Sequence, residues 1–178
     1  MSYPDLEEIF QQHGFNDFKW INGTDIEVAQ WVRMKCMYGC GSYGQKGTCP
    51  PNNPSINECR EFFGEYRDVV VFHIKSRLDD PTTRDRFSRE INTRLSKLER
   101  EVFLKDFRKA FLLFMDECQL CEQCPGTRHD CTNLAMARPC PESLGVDVYG
   151  TVRKVGLPIR VLKDYDEEMN RYAFLMVD

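Results

Sequence analysis

The stretch 69-VVVFHI-74, followed by 80-DPTTRDRFSREINTRLSKLEREV-102, decides the fold class. Val69 to Ile74 is short, β-branched and uninterrupted by charge, the pattern of a strand buried on both faces. Asp80 before Pro81 reads as a helix cap followed by the first helical residue. Phe87, Ile91, Leu95, Leu98 and Val102 then recur at spacings of 4, 4, 3 and 4, one apolar face of a long helix. Strand followed by packed helix is the unit from which the rest is read.

Working outward, Ser55 with Glu58 three residues on forms a capping box, and Cys59, Phe62, Phe63 and Tyr66 follow at helical spacing, so 55–67 reads as helix. Toward the N-terminus, a short helix over 4–13 precedes strand candidates at Phe18–Ile21 and Ile26–Met34. Toward the C-terminus, Ala110 to Met115 is a second fully apolar run. Pro141, the face Leu144, Val148, Val152 and Val155, and the stop Gly156 with Pro158 predict a helix over 141–155. Ile159–Leu162 and Tyr172–Val177 read as closing strands. The alternation predicts an α/β chain, with α+β as the variant, built as a mixed sheet with packed helices in one domain spanning 1–178.

A chain of 178 residues buries roughly 70% of its unfolded surface and needs no covalent staples. Nine cysteines are therefore informative. Hydrophobic residues at 42% and charged residues at 29% exclude disordered and fibrous classes. A formal charge of −4 without a dense basic run gives no reason to expect nucleic acid or an anionic membrane as partner. The opening MSYPDLEEIF has neither a basic nor an apolar leader region, and no apolar run is long enough for a bilayer. A cytoplasmic protein is expected, where regularly spaced cysteines are metal ligands or reactive thiols more often than disulfides.

The cysteines fall in two loops rich in Gly, Pro and polar residues, at 36–54 and 116–141. Cys118-x2-Cys121-x2-Cys124 is the sharpest signal: three thiolates at that spacing each reach a different iron of a cubane, as in bacterial ferredoxin runs. Cys131 and Cys140 compete as the fourth ligand, because Cys131 follows six residues on while Cys140 is the one beside a proline. Zinc, which draws on separated pairs, fits a consecutive triple less well. Cys36-x3-Cys40-x8-Cys49-Pro50-Pro51 is a second trio, in which Gly39, Gly41, Gly44 and Gly47 let backbone N–H groups approach a bulky ligand. Each trio could recruit a leftover cysteine, or both could share one centre. Cys59 sits on a helix stripe and reads as core. Cys140, at a helix mouth, reads equally as ligand or cap. His129 is a solvated loop residue before it is a ligand, and His13 and His73 read as surface and strand positions. Asp116, Glu117 and Glu122 read as solvated acids beside the cluster loop. No Walker, dinucleotide, zincin or nucleophile-elbow motif is present.

WVRMKCMYGCGSYGQKGTCPP, CQLCEQC, DCTNLAMARPCPESLGVDV and the terminal YAFLMVD together resemble a family of small cysteine-rich bacterial and archaeal proteins, described as predicted metal-binding proteins of unknown function. The resemblance runs from about residue 17 to the C-terminus. It implies Cys36, Cys40, Cys49, Cys118, Cys121, Cys124 and Cys131 as ligands and leaves Cys59 and Cys140 outside its pattern. Where the family shows Arg-Pro-Ser, this chain has Arg138-Pro139-Cys140, so a ligand role for Cys140 belongs to this sequence alone.

The expected function is that of an iron–sulfur protein carrying a 4Fe-4S cluster, with a second possible, through Cys118, Cys121, Cys124 and Cys131, serving electron transfer with a redox protein partner. Two alternatives stand beside it: an enzyme using an open iron as Lewis acid, and a zinc-binding interaction or metal-delivery module. The oligomeric state is not legible.

Overall fold

The computed structural model describes residues 3–77, 80–164 and 166–178. Among them are five α-helices and four strands: α1 (Tyr3–Gln12), β1 (Phe18–Ile21), α2 (Gln30–Gly39), α3 (Ile56–Gly64), β2 (Val69–Ser76), α4 (Pro81–Leu104), β3 (Phe111–Leu113), α5 (Val148–Lys154) and β4 (Met169–Met176). The strands form one sheet in the order β1-β2-β4-β3.

Side chains alternate across that sheet. Val70, Phe72, Ile74, Leu112, Ala173 and Leu175 face Leu6, Ile9 and Phe10 of α1 and Ile91, Leu95, Leu98 and Val102 of α4. Val69, Val71, Leu113, Tyr172, Phe174 and Met176 face Cys59 and Phe63 of α3 and Val148 and Val152 of α5. Helices cover both faces, which is why β2 carries no polar alternation through its first residues. Phe72 is held between three rings, with centroids at 5.1 Å from Phe10, 5.2 Å from Phe15 and 6.4 Å from Phe18.

Helices packed on a sheet are thus observed as expected, but the ladders are antiparallel throughout and not mixed. The reason lies in where β4 enters. β2, α4 and β3 form a crossover whose two strands run in the same direction, and β4 inserts between them, pairing antiparallel with each. This is a split crossover unit.

Three local expectations change. Residues 26–34 form no strand: Val28 makes one bridge to Val146, flanked by Ala29 N–H to Gly145 O at 2.8 Å and Asp147 N–H to Glu27 O at 2.7 Å, and α2 begins at once. The helix expected over 141–155 is divided into a 3-10 turn, Glu142–Leu144, and α5. Gly145, at φ 80°, turns the chain left-handed between them, and Asp147 caps α5 by accepting from Gly150 N–H at 3.0 Å. Residues 159–162 stay outside the sheet because side chains occupy their carbonyls: Tyr149 donates to Arg160 O at 3.0 Å, and Arg153 to Ile159 O at 3.5 Å.

Candidate metal centre

The dense cysteine loop leaves the sheet at the end of β3 and returns to its own start, where Phe114 N–H donates to Pro139 O at 2.9 Å. Between these points it contains no helix or strand, so its backbone groups need partners from elsewhere. α4 supplies them. Beside its apolar stripe lies a buried polar one, Ser88, Asn92, Ser96 and Glu99. Ser88 Oγ donates to Asp116 Oδ2 at 3.2 Å and Asn92 Nδ2 to Glu117 O at 3.4 Å. Ser96 Oγ donates to Met136 O at 3.1 Å, and the neighbouring Arg89 Nε to Gln119 O at 2.8 Å. Glu99 Oε1 accepts from Arg138 Nε at 2.9 Å and from Leu112 N–H at 3.1 Å.

At the loop's start, Arg171 of β4 donates from Nη1 to Asp116 Oδ2 at 3.0 Å and to Ser88 Oγ at 3.0 Å, and from Nη2 to Ser76 Oγ at 3.1 Å. Arg84 reaches the same carboxylate at 3.4 Å. Asp116 is therefore a structural anchor, not a solvated acid. Glu117 likewise turns inward, accepting from Ser42 Oγ at 3.0 Å and Gln119 Nε2 at 3.0 Å; burial, then the Asp116 charge, pushes its carboxyl up. Glu122 and His129 are exposed.

Cys118, Cys121, Cys124 and Cys131 line one void, together with Gly47, Thr48, Asn133 and Ala137. The thiols sit close enough for their charges to couple: burial pushes Cys118 up first, followed by Cys121, Cys131 and Cys124. Donors point at the sulfurs. Asn133 Nδ2 donates to Cys121 Sγ at 3.0 Å, Gly47 N–H to Cys124 Sγ at 3.5 Å, and Thr132 Oγ1 lies 3.6 Å from Cys121 Sγ. Thr48, 6% exposed, has a buried hydroxyl with no partner at the same void. The free space is about 10 Å³, about one water, so a cluster core would occupy it by spreading the irregular loop.

The remaining thiols meet elsewhere. Cys36, Cys40, Cys49 and Cys140 line a second, open cavity of about 850 Å³, with Asp116, Glu117 and Glu142. Burial pushes Cys49 up to about 12, with Cys36 and Cys40 adding to it. Cys59 is 2% exposed in the core behind α3. Among the described residues no three His, Cys, Asp or Glu side chains converge closely enough to hold a single ion. A tetrahedral zinc with Zn–S near 2.3 Å needs sulfurs about 3.8 Å apart, whereas cluster ligands, each on a different iron, stand wider.

Of the four loop glycines, Gly47 is the one the two loops require. A Cβ there would lie 2.5 Å from Thr127 O and 2.8 Å from Thr127 C. Gly47→Ala is expected to force the loops apart at a cost of about 1–3 kcal/mol, measured by thermal unfolding, and to lower metal content. A melting temperature and metal content equal to the parent protein's would show that the close approach is dispensable.

The polar stripe on α4 was missed by the sequence reading. Its signal was present one position along from the apolar stripe, where Ser88, Asn92 and Ser96 recur every four residues.

Residues 19–177 match the family model described as a predicted metal-binding protein, DUF2284, and the chain belongs to that family. No curated protein and no solved structure matches it. No helix among the described residues is long and apolar enough to cross a membrane.

Proposed function

Starting from membership of a metal-binding family, we propose that the chain holds a 4Fe-4S cluster through Cys118, Cys121, Cys124 and Cys131 and carries electrons for a redox protein in the cytoplasm. The observation that supports this most is the shared void: four thiols of one loop face the same space, with amide donors already directed at two of the sulfurs. The donor set is all sulfur, and three consecutive cysteines at x2 spacing suit a cluster better than the separated pairs on which zinc draws.

A bound cluster supplies reversible one-electron exchange. The chain's own residues bind it, orient it and set its potential. Asn133 and Gly47 donate to ligand sulfurs, and Thr48 has a hydroxyl free to do so. Such donors stabilise the added negative charge of the reduced state and raise the potential. α4 holds both ends of the loop, through Asp116, Glu117 and Gln119 on one side and Met136 and Arg138 on the other.

Anaerobic purification with iron, sulfide and zinc assays tests the reading. A brown, oxygen-bleached protein with about four irons and four sulfides at this site is expected, and Cys121→Ser should lose them. Full iron and sulfide in Cys121→Ser, or zinc in place of iron in the parent protein, overturns the assignment.

A further inference from the structure

We propose that Cys36, Cys40, Cys49 and Cys140 form a second iron–sulfur site, distinct from the first and facing the open cavity. The assignment does not depend on what occupies the first site.

Three elements bring these thiols together. Cys36 and Cys40 stand four residues apart at the C-terminal end of α2 and its cap, which places both on one side of the helix. Cys49 comes from the following loop, closed by Gly44 N–H to Pro50 O at 3.0 Å. Cys140 lies just before the 3-10 turn Glu142–Leu144, and α2 packs on that turn. All four line the same cavity. Their charges couple in a chain, Cys36 with Cys40, Cys49 with both, and Cys140 with Cys49. Cys140 thus joins the N-terminal trio, leaving Cys131 to complete the C-terminal one. Each site then has four sulfurs, which resolves the competition between the two cysteines.

The two sites stand back to back. Gly47 and Thr48 line the first and Cys49 the second; Cys118 lines the first and Glu117 the second. Gly47 N lies 3.5 Å from Cys124 Sγ, and two further residues add at most about 7 Å. The Cys49 backbone is therefore within about 11 Å of a sulfur of the first site.

Their surroundings differ in charge. Glu117, Glu142 and Asp147 line the second cavity, where Asp116 is already paired with Arg171 and Arg84 and Lys35 is the one basic side chain of the lining, whereas amide donors meet the sulfurs of the first. Nearby carboxylates disfavour adding an electron, so the second centre should have the lower potential. It is also the one that opens widely to solvent, with Cys40 exposed.

The test is iron and sulfide content, with folding followed by circular dichroism, for the parent protein, Cys140→Ala, the Cys36→Ser/Cys140→Ala double variant, and Cys121→Ser. About eight irons per parent chain are expected, and about half that number in the double variant and in Cys121→Ser. Redox titration followed by electron paramagnetic resonance should show two centres, the lower-potential one missing from the double variant. The proposal is overturned if the double variant keeps the parent's iron, if Cys121→Ser removes all iron from a folded chain, or if the second site carries zinc. Iron lost only with Cys121→Ser leaves the first site standing and removes the second. Iron lost only with the cavity variants does the reverse.

Discussion

Asp116→Ala is expected to destabilise the protein by about 3–5 kcal/mol, because it leaves the Arg171 guanidinium buried without its carboxylate. Arg171 is 8% exposed. Its remaining acceptors would be two serine hydroxyls, and its Nε already has no partner. At about 2–4 °C per kcal/mol for a chain of this size, the melting temperature should fall by roughly 6–20 °C. Arg171→Met should cost less, since Asp116 keeps Arg84 at 3.4 Å and has some access to water. The double variant should be more stable than Asp116→Ala alone, because it removes the stranded charge. Thermal unfolding of the three metal-free variants checks this order. A melt within about 2 °C of the parent for Asp116→Ala would mean that the pair carries less than about 1 kcal/mol.

The second large effect is expected at Glu99. Alanine there strands two donors at once, Arg138 Nε and Leu112 N–H, for an expected loss of about 3 kcal/mol. Glu99 also has a pH signature. Burial raises its carboxyl above the usual value of 4.5, a shift that the Arg138 charge only partly opposes. A carboxyl raised on folding holds its proton longer in the folded state. Its contribution is therefore greatest below the unfolded value and declines as pH rises from about 4.5 through the folded value. Glu99→Gln keeps one acceptor oxygen and no longer titrates. Its denaturation midpoint should vary less with pH above 4.5 than the parent's, and an unchanged profile would show that Glu99 does not set that slope.

What the sequence made legible was whatever one periodicity encodes. The stripe Phe87 to Val102, the Ser55/Glu58 box and the Asp80-Pro81 start all appear as read: Ser55 and Glu58 cap α3 reciprocally, and Asp80 Oδ1 accepts from Thr83 N–H at 2.9 Å. β1 takes the bounds Phe18–Ile21 read for it as a candidate strand, whereas β4 starts at Met169, three residues before the Tyr172–Val177 stretch read as strand. The insertion of β4 between β2 and β3 was not legible, because strand order depends on contacts about 60 to 110 residues apart that leave no local pattern. Ile26–Met34 read as a strand, yet within it only Val28 makes a bridge, to Val146. At the cysteine loops, spacing pointed to two groups of thiols but left Cys131 and Cys140 interchangeable. The packing of α2 on the 142–144 turn separates them, and nothing in the spacing encodes that contact.

The buried hydroxyl and amide row along α4 has a consequence for how the protein matures. Its bonds to the loop are all protein to protein, so the receptor's frame forms before any inorganic cargo arrives. Apo chains should accumulate as folded acceptors with only the segment between Gln119 and Met136 loosely held. An incoming metal would then meet a docked, half-built cradle instead of a denatured chain, and its loss would be repairable without refolding.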